Sequence, residues 1–255
     1  MKKILVLGGT TEARQLAGRL AGRHDVTLSL AGRTENPVAQ DVPVRTGGFG
    51  GAEGLAHYLR DNHVDLFIDA THPYAAQISA NAAKAARLAN IPAIALRRPA
   101  WVQQQGDRWT PVGSAAEAAG LLGPRPRKIF LALGRQELAP FEAVPQHTYL
   151  IRSVDPVEPP LAVPDATYIL ARGPFSEAGD RALLETHGID AIVSKNSGGE
   201  ATYGKIAAAR ALGIEVFLIQ RPPLPAMPSG AGVEEVLRLA DQALAPWAGL
   251  EKRGV

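Results

Sequence analysis

The stretch LVLGGTTEAR, residues 5–14, decides the fold of the N-terminal part of the chain. An apolar run ends at two glycines and leads into a helix-forming segment, which is the order of elements in a nucleotide-binding βαβ unit, although the full G-x-G-x-x-G is absent. Glycine lets a backbone approach a pyrophosphate, and the following helix N-terminus offers unpaired N–H groups. A tight turn with a threonine N-cap explains the same residues without a ligand. The candidate cofactor-binding residues here are Gly8, Gly9, Thr10, Thr11 and Glu12.

Strand and helix patterns alternate from this stretch almost to the C-terminus. Apolar strands that alternate with helices predict parallel sheets covered on both faces. In the first half we expect strands at 3–7, 26–30, 43–46, 64–70 and 92–96, with helices at 11–23, 53–62 and 74–90. In the second half we expect strands at 128–133, 148–152, 167–171, 191–194 and 215–219, with helices at 114–122, from 136, at 176–187 and at 202–212. The segment 97–111, rich in tryptophan and glutamine, is expected to cross between the two halves, and an amphipathic helix at 232–244 to end the fold.

The composition excludes several classes of protein. The chain has 255 residues, 46 % of them apolar and 20 % charged, which suits a globular protein with one or two cores. It has no cysteine, so disulfides, thiolate metal sites and cysteine nucleophiles are excluded. The net charge of +2, without aromatic residues in a basic stripe, argues against a nucleic-acid partner.

Neither a membrane nor a metal is indicated by the sequence. The apolar run at 4–7 is too short for a signal peptide, and no stretch approaches the roughly 18 apolar residues of a transmembrane helix. The six histidines are scattered, and His57 and His63 do not share a helix face. We therefore expect a cytoplasmic protein without membrane or metal partners, and a monomer is the working expectation.

The end of the second expected strand bears on the choice of cofactor. In NAD-binding folds an acidic residue usually stands there and binds the ribose 2′-OH. Here Arg33 and Thr34 occupy that place, and both suit a 2′-phosphate, which predicts NADPH rather than NADH. Glu35 follows closely, and a solvated basic turn is the alternative interpretation.

The fourth expected strand ends in DATHPY, residues 69–74, at the carboxyl edge where open α/β sheets bind ligands. Thr71 is a candidate contact to the cofactor. His72 and Tyr74 are the candidate catalytic residues, because a histidine beside a tyrosine suits acid–base chemistry. The alternative is a loop that only forms a wall beside the nicotinamide.

Cations follow most of the later strands. Parallel strands present their carboxyl ends to one edge, so these cations should converge there, and arginine forks match carboxylates. An isolated strand-end arginine is usually solvated, but six such ends in succession predict a wide ligand with several negative groups. The strand-end cations are Arg97, Arg98, Arg135, Arg152, Arg172, Lys195 and Arg221, with Lys205 on the helix after Lys195.

A second glycine loop follows the strand at 191–194. It opens a helix after a strand, as the first glycine loop does, and it suits a phosphate or a carboxylate. Its candidate ligand-binding residues are Asn196, Ser197, Gly198, Gly199 and Thr202.

Five motifs together resemble the precorrin-6A reductase family of cobalamin biosynthesis, which has a cobalt-precorrin-6A counterpart. They are GGTTEAR (8–14), DATHPYA (69–75), RPAW (98–101), LALGRQEL (131–138) and SKNSGGEATYGKIAAARALGIEVFLIQRP (194–222). The resemblance implies NADPH in the cleft of a two-domain Rossmann-like protein and hydride transfer to a macrocycle double bond, which gives precorrin-6B. The acetate and propionate arms of that tetrapyrrole would be the negative groups that the strand-end cations predict.

The expected fold class is therefore α/β, with two Rossmann-like parallel-sheet domains and a cleft between them. We expect residues 1–99 to form the NADP-binding domain, 100–225 to form a second α/β domain that binds the substrate carboxylates, and 226–255 to form a C-terminal helix and tail.

Two other functions remain open at this point. A reductase or epimerase of a nucleotide sugar has a similar first strand and loop, but it usually has Tyr-x-x-x-Lys, and here Tyr203 and Lys205 are only two residues apart. A non-catalytic tetrapyrrole carrier would bind the ligand and leave NADPH unoxidised.

Overall fold

The computed structural model describes residues 1–32 and 38–245. They form two compact α/β units. The first combines the described residues of 1–98 with those of 223–255, and the second is Pro99–Pro222. The C-terminal helix, which the sequence patterns set apart as a segment of its own, is thus part of the first unit.

The described residues contain twelve strands, seven α-helices and two short 3₁₀ segments. The strands are β1 (Lys3–Leu7), β2 (Asp25–Leu30), β3 (Val44–Thr46), β4 (Leu66–Asp69), β5 (Ala93–Leu96), β6 (Arg108–Val112), β7 (Lys128–Ala132), β8 (Thr148–Ser153), β9 (Ala166–Leu170), β10 (Ala191–Lys195), β11 (Glu215–Ile219) and β12 (Ser229–Gly230). The α-helices are α1 (Thr11–Ala21), α2 (Gly51–Asp61), α3 (Ala76–Ala89), α4 (Ala115–Leu121), α5 (Glu177–His187), α6 (Gly204–Leu212) and α7 (Val233–Leu244). The 3₁₀ segments are Arg135–Glu137 and Ala139–Ala143, where a single short helix from residue 136 was expected.

The sheet of the first unit has the order β12-β5-β4-β1-β2-β3, and its pairings are parallel. Leu7 lies beside Ser29 on one side and Asp69 on the other, so these strands end at the same edge. The chain order runs outward from β1 to β3 and then reverses to β4 and β5. Ligands of open α/β sheets bind beyond the carboxyl ends at such a reversal, here between β1 and β4.

The sheet of the second unit has the order β6-β11-β10-β7-β8-β9 and is also parallel. Its edge strand β6 begins inside the segment 97–111, which the sequence patterns indicated as a crossing, and ends one residue beyond it. No strand was expected here because the segment contains Pro111, and proline cannot donate a hydrogen bond to a sheet. It is tolerated in β6 because β6 is an edge strand. The two units therefore both have six strands, as two Rossmann-like sheets would.

Helices cover both faces of the first sheet. On one face, Leu16 and Leu20 of α1 pack into one core with Val236 and Leu237 of α7. On the other face, α2 packs with the alanine-rich α3, whose small side chains allow close approach. Each fully buried leucine or valine contributes about 1.5–3 kcal/mol relative to an exposed one. The apolar face of α7 is the reason that the C-terminal segment returns to the first unit.

Candidate active site

The two glycines that follow β1 serve different purposes. The N–H of Gly8 donates to Ser29 O at 2.9 Å, which extends the pairing with β2. A Cβ at Gly8 would lie 2.6 Å from Leu28 Cδ1. Gly9 has φ +111°, a conformation that favours glycine, and a Cβ there would meet no atom within 4 Å. The backbone at Gly9 is thus open to a close approach by a ligand, as a diphosphate requires.

Thr10 is the N-cap of α1 and also joins two loops. Its Oγ1 accepts from the N–H of Ala13 and donates to Ala70 O, both at 3.1 Å. The N-cap interpretation therefore describes this side chain correctly. Its second hydrogen bond ties the glycine loop to the loop after β4, so both loops at the strand-order reversal are held in a fixed relation.

Glu12, in the first turn of α1, pairs with Arg98 at 2.8 Å (Oε2 to Nη1), and both side chains are mostly buried. A carboxylate repels a phosphate, so the contribution of Glu12 to an anion site is indirect. It holds Arg98 at the end of the segment that follows β5. Thr11 is exposed at the first position of the helix.

A buried polar network lies at the ends of β4 and β5. Asp69 Oδ1 accepts from the N–H of Thr71 at 3.1 Å and from its hydroxyl at 2.6 Å, and Asp69 Oδ2 accepts from Arg97 Nη2 at 2.6 Å. Ser79 Oγ of α3 lies 3.4 Å from both Thr71 Oγ1 and Arg97 Nη2. Burial by itself raises the pKa of Asp69, but the charge of Arg97 and the hydrogen bonds of the network outweigh it and lower that pKa. Asp69 is therefore a carboxylate that fixes Thr71 and Arg97 together.

His72 and Tyr74 lie on the same turn. The N–H of Tyr74 donates to His72 Nδ1 at 3.3 Å, and the two ring centroids are 5.6 Å apart. A neutral His72 ring in this arrangement carries its proton on Nε2. The structure thus brings the two expected catalytic side chains together.

The residues expected to recognise a 2′-phosphate, Arg33 and Thr34, lie outside the described residues. Gly32, the last described residue before them, has φ +73°, and a Cβ there would lie 2.9 Å from Thr46 Cγ2. Gly32 is therefore required by the close approach of β3.

Two of the expected substrate cations are buried in the second unit. Arg152 pairs with Asp180 of α5, and its guanidinium carbon lies 3.6 Å from the centroid of the Phe175 ring. Lys205 is 4 % exposed, and its Nζ donates to Thr202 O at 2.7 Å. Burial, with a smaller effect of the Arg152 charge, lowers the pKa of Lys205 to about 7. Both side chains are thus buried beneath the strand ends and bonded within the unit, whereas the sequence patterns predicted that they would bind the carboxylates of a ligand at that edge.

The second glycine loop is held by hydrogen bonds to a distant segment. Asn196 Oδ1 accepts from the N–H of Trp101 at 2.7 Å, and its Nδ2 donates to Trp101 O at 3.0 Å. Trp101 Nε1 donates to Gly199 O at 2.8 Å. A Cβ at Gly198 would lie 2.0 Å from Pro99 O, so only glycine fits there. Asn196 and Gly198 thus shape the loop, while Ser197 and Gly199 remain candidates for ligand contact.

The other expected cations lie nearer the surface. Arg135 and Arg172 are exposed, and Lys195 forms an ion pair with Glu137 of the first 3₁₀ segment. Arg221, which follows β11, donates to Asn196 O at 2.8 Å and to Ser197 O at 2.9 Å. Its place after a strand was visible in the sequence, but its role in holding the loop was not, because the acceptors are backbone carbonyls.

The described residues contain neither a metal-binding cluster nor a membrane-spanning helix. Within 1–32 and 38–245, no three histidine or acidic side chains are grouped so that they could hold a metal ion. No helix in the same ranges has the length and apolar character needed to cross a membrane.

The parallel sheets and the open Gly9 turn at a strand-order reversal define a Rossmann-like protein of the dinucleotide-binding type. The family model described as "Precorrin-6x reductase CbiJ/CobK" matches residues 3–241. A precorrin-6A reductase of Sinorhizobium sp is 57 % identical over 246 residues, which cover 96 % of this chain and 94 % of that protein. A cobalt-precorrin-6A reductase of Priestia megaterium is 30 % identical over 237 residues, which cover 87 % of this chain and 91 % of that protein.

A solved structure of CobK precorrin-6A reductase matches with a TM-score of 0.92 and 47 % identity, covering 98 % of this chain and 100 % of that one. The chain belongs to the precorrin-6x reductase family. Both the resemblance read from the five motifs and the expected α/β class are confirmed. Membership of a reductase family implies a nicotinamide cofactor.

Proposed function

We propose that the protein reduces a double bond of precorrin-6A with NADPH and gives precorrin-6B in cobalamin biosynthesis. The observation that carries this proposal is the open turn at Gly9, at the strand-order reversal of a chain whose family model spans residues 3–241. Dependence on a diffusible reduced cofactor supports a cytoplasmic location, and we propose a monomer as the working form.

The residues at the ends of β1 and β2 suit the phosphates of the cofactor. The backbone at Gly9 and the N-terminus of α1 supply N–H donors for the diphosphate, with Gly8 shaping the turn and Thr11 beside them. Arg33 and Thr34 are our candidates for the 2′-phosphate, which would make NADPH the preferred form. When bound, the reduced nicotinamide supplies the hydride, and the chain supplies orientation and electrostatics.

The reduced carbon pair also needs a proton. Tyr74 is our first candidate for its source, and the adjacent His72 could relay a proton to it from solvent. Exposed Arg135 and Arg172, with Lys195, are our candidates for the carboxylate arms, because a guanidinium group matches a carboxylate bidentately and an ammonium group pairs with it as a point charge. Holding several arms at once would supply much of the rate through orientation alone.

Stopped-flow absorbance with purified precorrin-6A and either NADPH or NADH tests the proposed function. We expect oxidation of NADPH in proportion to the precorrin added, and a slower reaction with NADH. A carrier would bind both ligands without any change in NADPH absorbance, and that result would refute the reductase.

A matched glycine pair tests the cofactor loop. Gly9→Ala should raise the KM for NADPH about tenfold, equivalent to ~1.4 kcal/mol, because a methyl group would stand where the diphosphate approaches. Gly123→Ala is the control, since Gly123 also has a positive φ, of +81°, and open space around it, but lies in the other unit. Equal effects of the two substitutions would point to backbone strain alone.

A further inference from the structure

Arg97 and Asp69 lie on one particular side of the strand-order reversal. The expected diphosphate loop follows β1, and the candidate residues for the 2′-phosphate follow β2, so the adenosine half of a dinucleotide extends toward β2 and β3. The nicotinamide half then extends toward β4 and β5. Asp69 ends β4 and Arg97 follows β5, which puts both residues on the nicotinamide side.

The hydrogen bonds of Arg97 are incomplete. Its Nη2 donates to Asp69 Oδ2 at 2.6 Å, but Nη1 is buried and has no acceptor among the residues that the structure describes. A buried donor without a partner is destabilising, and more so when it is charged. The Arg97 side chain is 17 % exposed, so the network reaches the edge of the unit, and an acceptor from a bound ligand could complete it after a small local shift.

The charge of the network selects the kind of acceptor. The ion pair with Asp69 already neutralises Arg97, so the pair attracts a carboxylate arm only weakly. A neutral carbonyl oxygen suits a single remaining N–H donor better. The loop that carries Thr71 is fixed by the same Asp69 and is tied to the glycine loop through Thr10 and Ala70 O.

We propose that Arg97 donates from Nη1 to the carboxamide oxygen of the nicotinamide, and that Asp69 positions Arg97 and Thr71 for this contact. The assignment rests on the proposed NADPH-dependent function. Arg97 thus contacts the cofactor, whereas the sequence pattern predicted a contact to the substrate.

Binding of two ligands tests the assignment without any turnover. One is NADP⁺, and the other is 2′-phospho-ADP-ribose, which keeps the phosphates but lacks the nicotinamide. Arg97→Lys preserves the positive charge opposite Asp69 and removes the guanidinium group with its second Nη donor. It should raise the Kd for NADP⁺ about tenfold, the loss expected for one charge-assisted hydrogen bond, and leave the Kd for the fragment unchanged.

Asp69→Asn should also raise the Kd for NADP⁺. The double variant should lose less binding free energy than the sum of the losses in the two single variants. The thionicotinamide analogue of NADP⁺ adds a second readout, because sulfur is a weak acceptor. The wild type should prefer NADP⁺ over the analogue, and Arg97→Lys should reduce that preference. Arg60→Lys, at the C-terminal end of α2, is the control and should change none of these constants.

The outcomes separate the assignment from the function on which it rests. Equal weakening of NADP⁺ and of the fragment by Arg97→Lys would show a merely structural role for Arg97, and unchanged affinities would show no role at all. If the wild type binds neither ligand, the proposed cofactor site itself is wrong, and the assignment falls with it.

Discussion

Lys205 is a buried amine whose hydrogen-bond acceptor is a carbonyl, Thr202 O. The nearby carboxylate of Asp180 pairs with Arg152 instead. The indole of Trp101 lies 5.0 Å from Nζ and offers a weak cation–π contact. A charged amine in such a place is costly, because burial removes its water and Arg152 repels it.

This burial predicts how stability depends on pH. The pKa of Lys205 is lowered to about 7 in the folded protein, whereas an unfolded lysine has a pKa of about 10.4. Between these values the unfolded state binds more protons, so the Lys205 contribution to stability rises with pH, by at most ~1.4 kcal/mol per pH unit. Below about pH 7 both states are protonated, and the full penalty for burying the charge applies.

Lys205→Met removes the titrating group and keeps much of the volume. The variant's free energy of unfolding minus that of the wild type should be most positive near pH 6 and should fall steadily toward pH 10. Urea unfolding at several pH values measures this difference. Lys84→Met is the control, since the ion pair of Lys84 with Glu53 is exposed. A difference that does not change with pH would contradict the prediction.

Gly198 allows steric fit to be separated from backbone strain. Its φ is +67°, and that of Gly213 is +66°, but a Cβ at Gly198 would lie 2.0 Å from Pro99 O, whereas a Cβ at Gly213 would meet nothing within 4 Å. Alanine at either position bears the left-handed strain of roughly 1–2 kcal/mol. Gly198→Ala should lose about 1–3 kcal/mol more than Gly213→Ala, because the backbone of Pro99 must also move. Similar losses, measured by chemical denaturation, would show that the loop shifts freely.

At the scale of elements, the Asn196 side chain works as a clamp between β10 and the segment that precedes β6. It pairs with both the N–H and the C=O of Trp101, as a neighbouring strand would. Arg221 closes the same loop from β11 through the carbonyls of Asn196 and Ser197. The loop after β10 therefore depends on contacts that are distant in sequence.

Asn196→Ala should destabilise the second unit by about 1–3 kcal/mol, because the Trp101 N–H and C=O lose their partners in a largely buried place. The environment of Trp101 should change as well, and tryptophan fluorescence during denaturation reports both effects. Asn62→Ala is a matched control, because its amide bonds to Tyr58 O at an exposed helix end. It should change stability by less than about 0.5 kcal/mol. Equal effects of the two substitutions would argue against the clamp.

The difference between local signals and contacts distant in sequence explains how far the sequence predicts the fold and the site. The buried strands β1, β4, β10 and β11 are mostly apolar, so their positions follow from local composition. The strand β6 has too few apolar residues to be recognised alone, and the two-residue β12 exists only because β5 is beside it. The Gly8–Gly9 turn is a local signal. The partners of Arg97 and Arg152 are not, because Asp69 and Asp180 are both 28 residues away.

At the scale of the whole molecule, the chain leaves its first unit at residue 98 and returns to it at 223. The first sheet is thus covered by helices from both ends of the chain, with α1 and α7 on the same face. The ion pairs between these helices, Arg19 with Glu234 and Arg23 with Asp241, are exposed and contribute little. The apolar contacts of α7 must therefore hold the two ends together.

Leu237→Ala tests this dependence. Leu237 is buried in the core that α7 shares with α1, and replacing a buried leucine by alanine costs about 2–5 kcal/mol. Because the second unit has its own core, protection against hydrogen exchange should fall in residues 1–98 and in α7 but not in 99–222. Leu121→Ala is the control, since that side chain is half exposed on α4 and should alter protection little anywhere. If Leu237→Ala reduced protection equally in both units, the chain would unfold as a single cooperative body, and the return of the C-terminal segment would stabilise the whole protein rather than the first sheet alone.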